Sequence, residues 1–163
     1  MSSPEHKQLI WNLIKDIKFG MLVTNEEDGS SLRSRPMTLV QNQYDGTLYF
    51  YTNKHDGKAY EIKKDRDICI TFSDPSAKIY VSLSGKANLT TDSALIDRYW
   101  NKFVSAWFPE GKEDPNLAML EIKIDSGEHW KTDENMFAQL YEIAKANLTD
   151  TKPDLGEHES FGK

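Results

Sequence analysis

The sequence predicts a mainly β fold with flanking helices, an α+β domain whose six strands form an antiparallel barrel or sheet. Three observations predict it. After residue 18 the apolar spacing changes from a period of 3.6 to a period of 2. Six strand-like runs then follow, several of them joined by short turn sequences of the kind that connect hairpins. Helical spacing returns only at a few crossings, without the regular strand and helix alternation of a parallel α/β fold.

The elements follow in order. Ser2, Ser3, Pro4 and Glu5 make a helix start, with a serine cap and a proline in the first turn. Leu9, Ile10, Leu13, Ile14 and Ile17 recur at helical spacing, which predicts an amphipathic helix over 3–18. Gly20 to Thr24 reads as the first strand, Glu26 to Gly29 as a turn, and Leu32 to Val40 as the second strand. Pro36 lies inside that second strand and has no N–H to give to a ladder, so the strand needs a free edge or a bulge. A turn at Asn42 to Gly46 leads to the third strand, Thr47 to Thr52, and residues 56–64 read as a short helix opened by Asp56. Ile68 to Phe72 and Ile79 to Ala87 are the next two strands, with a turn around Ser73 to Ser76. Asp92 starts a helix running towards Phe103, residues 107–116 form a loop, and Leu117 to Ile124 begins a sixth strand ending near Trp130. A last helix over 133–148 is expected to bury Met136, Phe137, Leu140, Tyr141 and Ala144. Residues 1–148 therefore read as a single domain, and 149–163 as a flexible C-terminal tail.

Composition narrows the partners. Of 163 residues, 38% are hydrophobic and 11% aromatic, enough to build one core. A net charge of −6 opposes any polyanion, and no basic patch offsets it, so no nucleic-acid partner is predicted. No apolar run approaches the roughly 18 residues of a bilayer span, and the first residues have neither a basic nor an apolar leader region. The reading is a cytoplasmic protein without a membrane partner. Cys69 is the single cysteine; it cannot form an internal disulfide and is expected as a buried core thiol.

The familiar catalytic and metal-binding motifs are missing. There is no Cys-x-x-Cys, His-x-x-x-His, Gly-x-Gly-x-x-Gly, Walker loop or Gly-x-Ser-x-Gly, and the four histidines are scattered, so no metal is predicted. What remains is cationic and hydroxyl-bearing. Arg33-Ser34-Arg35-Pro36-Met37 puts two guanidiniums on one face of a strand, either to grip a phosphate or a carbonyl-rich ring, or simply to sit in solvent. Tyr51-Thr52-Asn53-Lys54-His55-Asp56-Gly57-Lys58 ends a strand in hydroxyl, amide and lysine groups and then opens a helix; it reads as an anion contact or as an ordinary turn. Pairing of the second and third strands would bring the two segments together.

These segments, with Val81-Ser82-Leu83-Ser84-Gly85-Lys86-Ala87, Trp107-Phe108-Pro109-Glu110-Gly111-Lys112, Asp114-Pro115 and Glu128-His129-Trp130, resemble the general stress protein 26 branch of the pyridoxamine 5′-phosphate oxidase-like proteins. The similarity spans about residues 5–147. It implies a split β-barrel of FMN-binding type, a homodimer, and FMN in a groove at the subunit interface. Arg35 matches the arginine that holds the flavin from strand two, while Pro36, Met37 and Thr38 match positions lining the ring. Thr52 matches the hydroxyl at the end of strand three, and Lys58 the lysine aimed at the phosphate. Trp107 and Trp130 are candidate ring contacts or packing residues, and Arg33, Ser34 and Tyr51 lie in the same matching segments. The chain departs from the oxidase itself at Asp56 and Gly57, which replace a serine and a basic residue, and at Val40, which replaces a substrate-phosphate lysine. It also departs after Trp130, where Lys131-Thr132-Asp133-Glu134 stands in place of an Arg/His-containing motif. Vitamin B6 oxidation is therefore not expected. The resemblance implies a flavin-dependent oxidoreductase of unspecified substrate, or else a non-catalytic protein that stores or senses flavin; no catalytic residue is named.

Overall fold

The computed structural model describes residues 3–26, 28–64, 66–132, 136–154 and 156–162. Ser3 caps the first helix, its hydroxyl accepting from the His6 N–H at 3.2 Å, and α1 spans Pro4–Ile14. The helix stops short of the predicted residue 18. Lys18 takes a positive φ of 65°, a left-handed conformation that ends the helical turn and feeds the chain into a strand. Ile10, Leu13 and Ile14 lie buried along α1 and join the main core.

All six predicted strands form: β1 (Phe19–Asn25), β2 (Leu32–Thr38), β3 (Thr47–Asn53), β4 (Asp67–Asp74), β5 (Ile79–Thr90) and β6 (Leu117–Thr132). Between them lie α2 (Gly57–Lys64), α3 (Ser93–Tyr99) and α4 (Lys102–Ser105), and α5 (Met136–Thr149) follows β6. The strands make one antiparallel sheet in the order β2-β1-β4-β5-β6-β3, curled around the core. β2 takes the edge position that Pro36 demands, its only ladder among the described residues being to β1, with Pro36 opposite Met21. This overturns the predicted pairing of the second and third strands. β3 pairs with β6 instead, and β2 and β3 meet only where the curl brings the two ends of the sheet towards each other.

β6 organises that curl. One of its edges is laddered to β5 from Met119 to Lys131, with a bulge at Ser84/Gly85; the other edge takes β3 along Leu117 to Lys123. The remaining stretch, Gly127 to Thr132, is covered by a seventh strand, β7 (Gly156–Phe161), within the segment the sequence reads as a tail. The glycines that suggested a flexible end serve a different purpose. Gly156 (φ 145°) and Gly162 (φ 80°) sit so close to β6 that a Cβ would fall 1.9 Å from the Lys131 carbonyl and 2.2 Å from the Asp125 carbonyl. Between them Phe161 packs against the main core.

Three further expectations change. The helix after Asp92 breaks at Trp100, because Asn101 caps a new short helix by accepting from the Phe103 and Val104 N–H groups. Ile96 and Val104 from the two pieces cover a second small core with Phe108, Leu117 and Met119. In α5, Leu140, Tyr141 and Ala144 are exposed rather than buried, and among the described side chains of the helix Ala146 is buried; the side chains of 136–139, Met136 and Phe137 among them, and all of residues 133–135 lie outside the described residues. Periodicity defines an apolar stripe on a helix but not what covers it. Cys69 is half-buried beside Ser82 (Sγ to Oγ 3.5 Å), not a core thiol. None of the described helices is long and apolar enough to cross a membrane.

Gly156→Ala is expected to lower stability by about 1–3 kcal/mol, the usual cost of forcing atoms into packed space, as read from the midpoint of urea unfolding. An unchanged midpoint would show that the β7 seam contributes nothing.

Candidate anion-binding site

The register of β1 with β2 sets Thr24 opposite Arg33 and Leu22 opposite Arg35, so these side chains share one side of the sheet. Helix α2 packs over β1 and β5. It is started by Asp56, whose Oδ1 accepts from the Ala59 N–H at 3.2 Å, and one turn later it places Glu61 beneath it, only 4% exposed. Three groups converge on that carboxylate. Arg35 Nη2 donates to Glu61 Oε2 at 2.7 Å, Thr24 Oγ1 donates to the same oxygen at 2.5 Å, and Arg33 Nη1 donates to Oε1 at 3.2 Å. Arg35 Nη1 also donates to Thr24 Oγ1 at 2.9 Å, closing a ring of three side chains.

Burial by itself would push the Glu61 carboxyl up. The Thr24 hydrogen bond, the Arg35 hydrogen bond and charge, and the Arg33 charge outweigh it, so the group is held below the ordinary glutamate range. Two guanidiniums share the one buried carboxylate, and a second, more exposed carboxylate, Glu26, lies 3.9 Å from Arg33 Nε. Arg35 is largely covered, at 16% exposed, whereas Arg33 keeps 51% of its side chain in solvent. The arrangement is a cationic corner that can receive an anion through donors Glu61 does not use.

The other predicted residues divide between two faces. Met37 follows the arginines inward and is buried in the main core, while Ser34, Pro36 and Thr38 alternate outward and are exposed. Thr52 is buried, and its hydroxyl has no hydrogen-bond partner among the described residues. Tyr51 points the opposite way: its hydroxyl donates to the Ile96 carbonyl at 2.6 Å and its ring stands edge-on to Trp100. Burial pushes that phenol above the ordinary tyrosine range, so it stays protonated as a structural donor. Lys58 occupies the first turn of α2, three residues before Glu61; its side chain lies outside the described residues. Trp107, 82% exposed, follows α4, and Trp130 stacks on His158 (centroids 4.9 Å, planes 7° apart). The structure thus joins Arg33 and Arg35 through Glu61 and keeps Tyr51 in a separate packing role. Among the described residues no group of side chains could hold a metal ion.

Glu61 and Thr24 are the site residues that sequence reasoning misses. A glutamate in a lysine-rich helix reads as a solvated residue, and a threonine inside an apolar strand reads as packing. The available signal was spacing, since Glu61 lies three residues after Lys58 and so shares its helix face.

Glu61→Ala is expected to destabilise the fold by about 3 kcal/mol, because it leaves the largely covered Arg35 without its buried charge partner. The pH dependence has a definite sign. The folded-state pKa of Glu61 lies below the unfolded value of 4.5, so its contribution is complete above about pH 4.5 and is lost as pH falls through the folded value. Urea titrations between neutral pH and pH 3 will show part of the acid loss missing in Glu61→Gln; superimposable pH curves would refute this role.

Comparison with known proteins agrees with this architecture. The family model described as pyridoxamine 5′-phosphate oxidase like matches residues 5–154. General stress protein 26 of Bacillus subtilis is 33% identical over 131 residues, covering 76% of this chain and 86% of its own length. Protein bli-3 of Neurospora crassa is 28% identical over 141 residues, 81% of this chain and 68% of that protein. Among solved structures, the general stress FMN/FAD binding protein of the phytopathogen Xanthomonas citri superposes with a TM-score of 0.71 at 29% identity, covering 82% of this chain and 94% of that one. The curled antiparallel sheet is a split β-barrel, and the chain belongs to the pyridoxamine 5′-phosphate oxidase-like family.

Proposed function

We propose that the protein is a cytoplasmic FMN-binding general stress protein that works as a homodimer and passes electrons between a reductant and a small acceptor. The observation that carries this reading is the cationic corner in which Arg33 and Arg35 are held by Glu61 beneath the helix that begins with Gly57 and Lys58. A phosphate monoester is a dianion at neutral pH, and fixed guanidinium forks match its oxygens. The fit extends to Thr52, whose buried hydroxyl lacks a partner and would gain one. FMN, when bound, supplies the hydride and single-electron chemistry, and the protein supplies binding and orientation.

The outer face supports the dimer. Phe19, 64% exposed, stands there with Met21, Tyr80 and Trp130, beside the exposed Ser34, Pro36 and Thr38 of the edge strand. A sheet face of this kind, poor in charge and rich in exposed rings, suits a second copy of the chain and a flat ring system between the two. Trp107, whose ring is exposed, is the side chain we propose to reach across such an interface. Pyridoxamine phosphate is not the proposed substrate: Val40 packs against the second core, where a second phosphate would need a cation.

Purified protein is expected to retain flavin absorption after FMN addition and desalting, and anaerobic NADPH is expected to bleach it. Retained flavin that NADPH cannot bleach would leave a carrier or sensor, and a colourless protein would refute the reading. Lys58→Ala should weaken FMN binding by about tenfold or more, the equivalent of one charge-assisted hydrogen bond, and Arg35→Ala should weaken it by a similar factor by removing the anchor of Glu61 and with it the hold on Arg33, with far-UV circular dichroism preserved in both. Unchanged affinity in both variants would remove the phosphate from this corner.

A further inference from the structure

Arg33 and Arg35 are not equivalent, although they lie two residues apart on one strand. Arg35 is covered and spends one terminal nitrogen on Thr24 and the other on Glu61. Arg33 is half in solvent. Its Nη1 is held by Glu61 Oε1, its Nε lies 3.9 Å from a Glu26 oxygen, and its Nη2 has no partner among the described residues.

The head of Arg33 also has a seat. Nη1 lies 3.1 Å from the place a Cβ would occupy on Gly57, the first residue of α2. Gly57 has no positive φ, so the residue is not needed there for its backbone conformation. What its missing side chain provides is room for a strand-borne guanidinium against the helix that carries Lys58. A larger residue at 57 would displace that guanidinium, and a hydrogen-bonded fork held at one end presents its other nitrogen at a defined place.

We infer that Arg33, seated on Gly57 and steadied by Glu61, is the specificity-determining residue that selects phosphorylated flavin over unphosphorylated flavin. The inference rests on the flavin reading above and deepens it. Arg35 anchors Glu61 inside the fold. Arg33 offers its free nitrogen to a phosphate oxygen, a contact that riboflavin, which ends in a hydroxyl, cannot use in the charged form. The preference should then fall with Arg33 while affinity for the ring system stays.

Fluorescence titration of the full-length protein with FMN and with riboflavin tests this. Wild type is expected to prefer FMN by about tenfold or more, the scale of one charge-assisted contact. Arg33→Ala should lower that preference by about tenfold through weaker FMN binding, with riboflavin affinity kept within about twofold and the fold retained by far-UV circular dichroism. Gly57→Val, which fills the seat while leaving Arg33 in the chain, should lower the preference in the same direction. An unchanged FMN-to-riboflavin ratio in either folded variant overturns the inference, as does a wild type that binds both flavins equally well; flavin binding itself would then still stand. A wild type that binds neither flavin overturns the flavin reading and this inference with it.

Discussion

The carboxylate of Glu61 lies buried beneath α2 and remains an anion there because Thr24, Arg35 and Arg33 meet it from two strands. Without those partners the cost of desolvation would protonate it or expel it; with them it becomes the point at which a helix is fastened to the end of the barrel. The same contact prevents two guanidiniums on one strand from repelling each other. It therefore links fold and site: removing the anion releases the helix that carries Lys58 and the cations that accompany it.

β6 is the second constraint. A strand of 16 residues is too long for a single partner on each side, so β5 follows one edge while β3 and β7 divide the other. That division places β3, and hence Thr52, at one end of the sheet and the free edge strand β2 at the other. The curl then brings them round towards each other without a shared ladder. The barrel is left open between β2 and β3, and on the edge strand β2 Arg33 keeps half of its side chain in solvent.

β2 shows how one short strand serves two surfaces. Its inward residues Arg33, Arg35 and Met37 go to the carboxylate and the core, whereas Ser34, Pro36 and Thr38 face out towards the exposed aromatic side chains of the sheet. The missing N–H of Pro36 keeps the strand at an edge, and the two-residue alternation of the pleat separates charge from apolar contact. The charged side chains of the strand are thereby kept apart from its exposed apolar ones.

Much of this was legible in the chain. The change of apolar period announced the barrel strands, Pro36 announced a free edge, and Arg33 with Arg35 announced a shared cationic face, because each of these is a local rule of spacing or of backbone chemistry. The register across strands, the burial of Glu61, the unpartnered Thr52 hydroxyl and the departure of Tyr51 into a packing role were not legible. They depend on which surfaces meet, and nothing in the spacing of one segment says which other segment covers it. The C-terminal segment makes the same point in reverse: its polar, glycine-bearing composition suits a loose end, yet its glycines permit an approach to β6 that side chains would block. By itself the sequence determined six of the strands, the faces on which its charges lie and the family. Only the tertiary structure decided which of those charges face one another, because desolvation and pairing energies arise between surfaces brought together by folding rather than within any one segment.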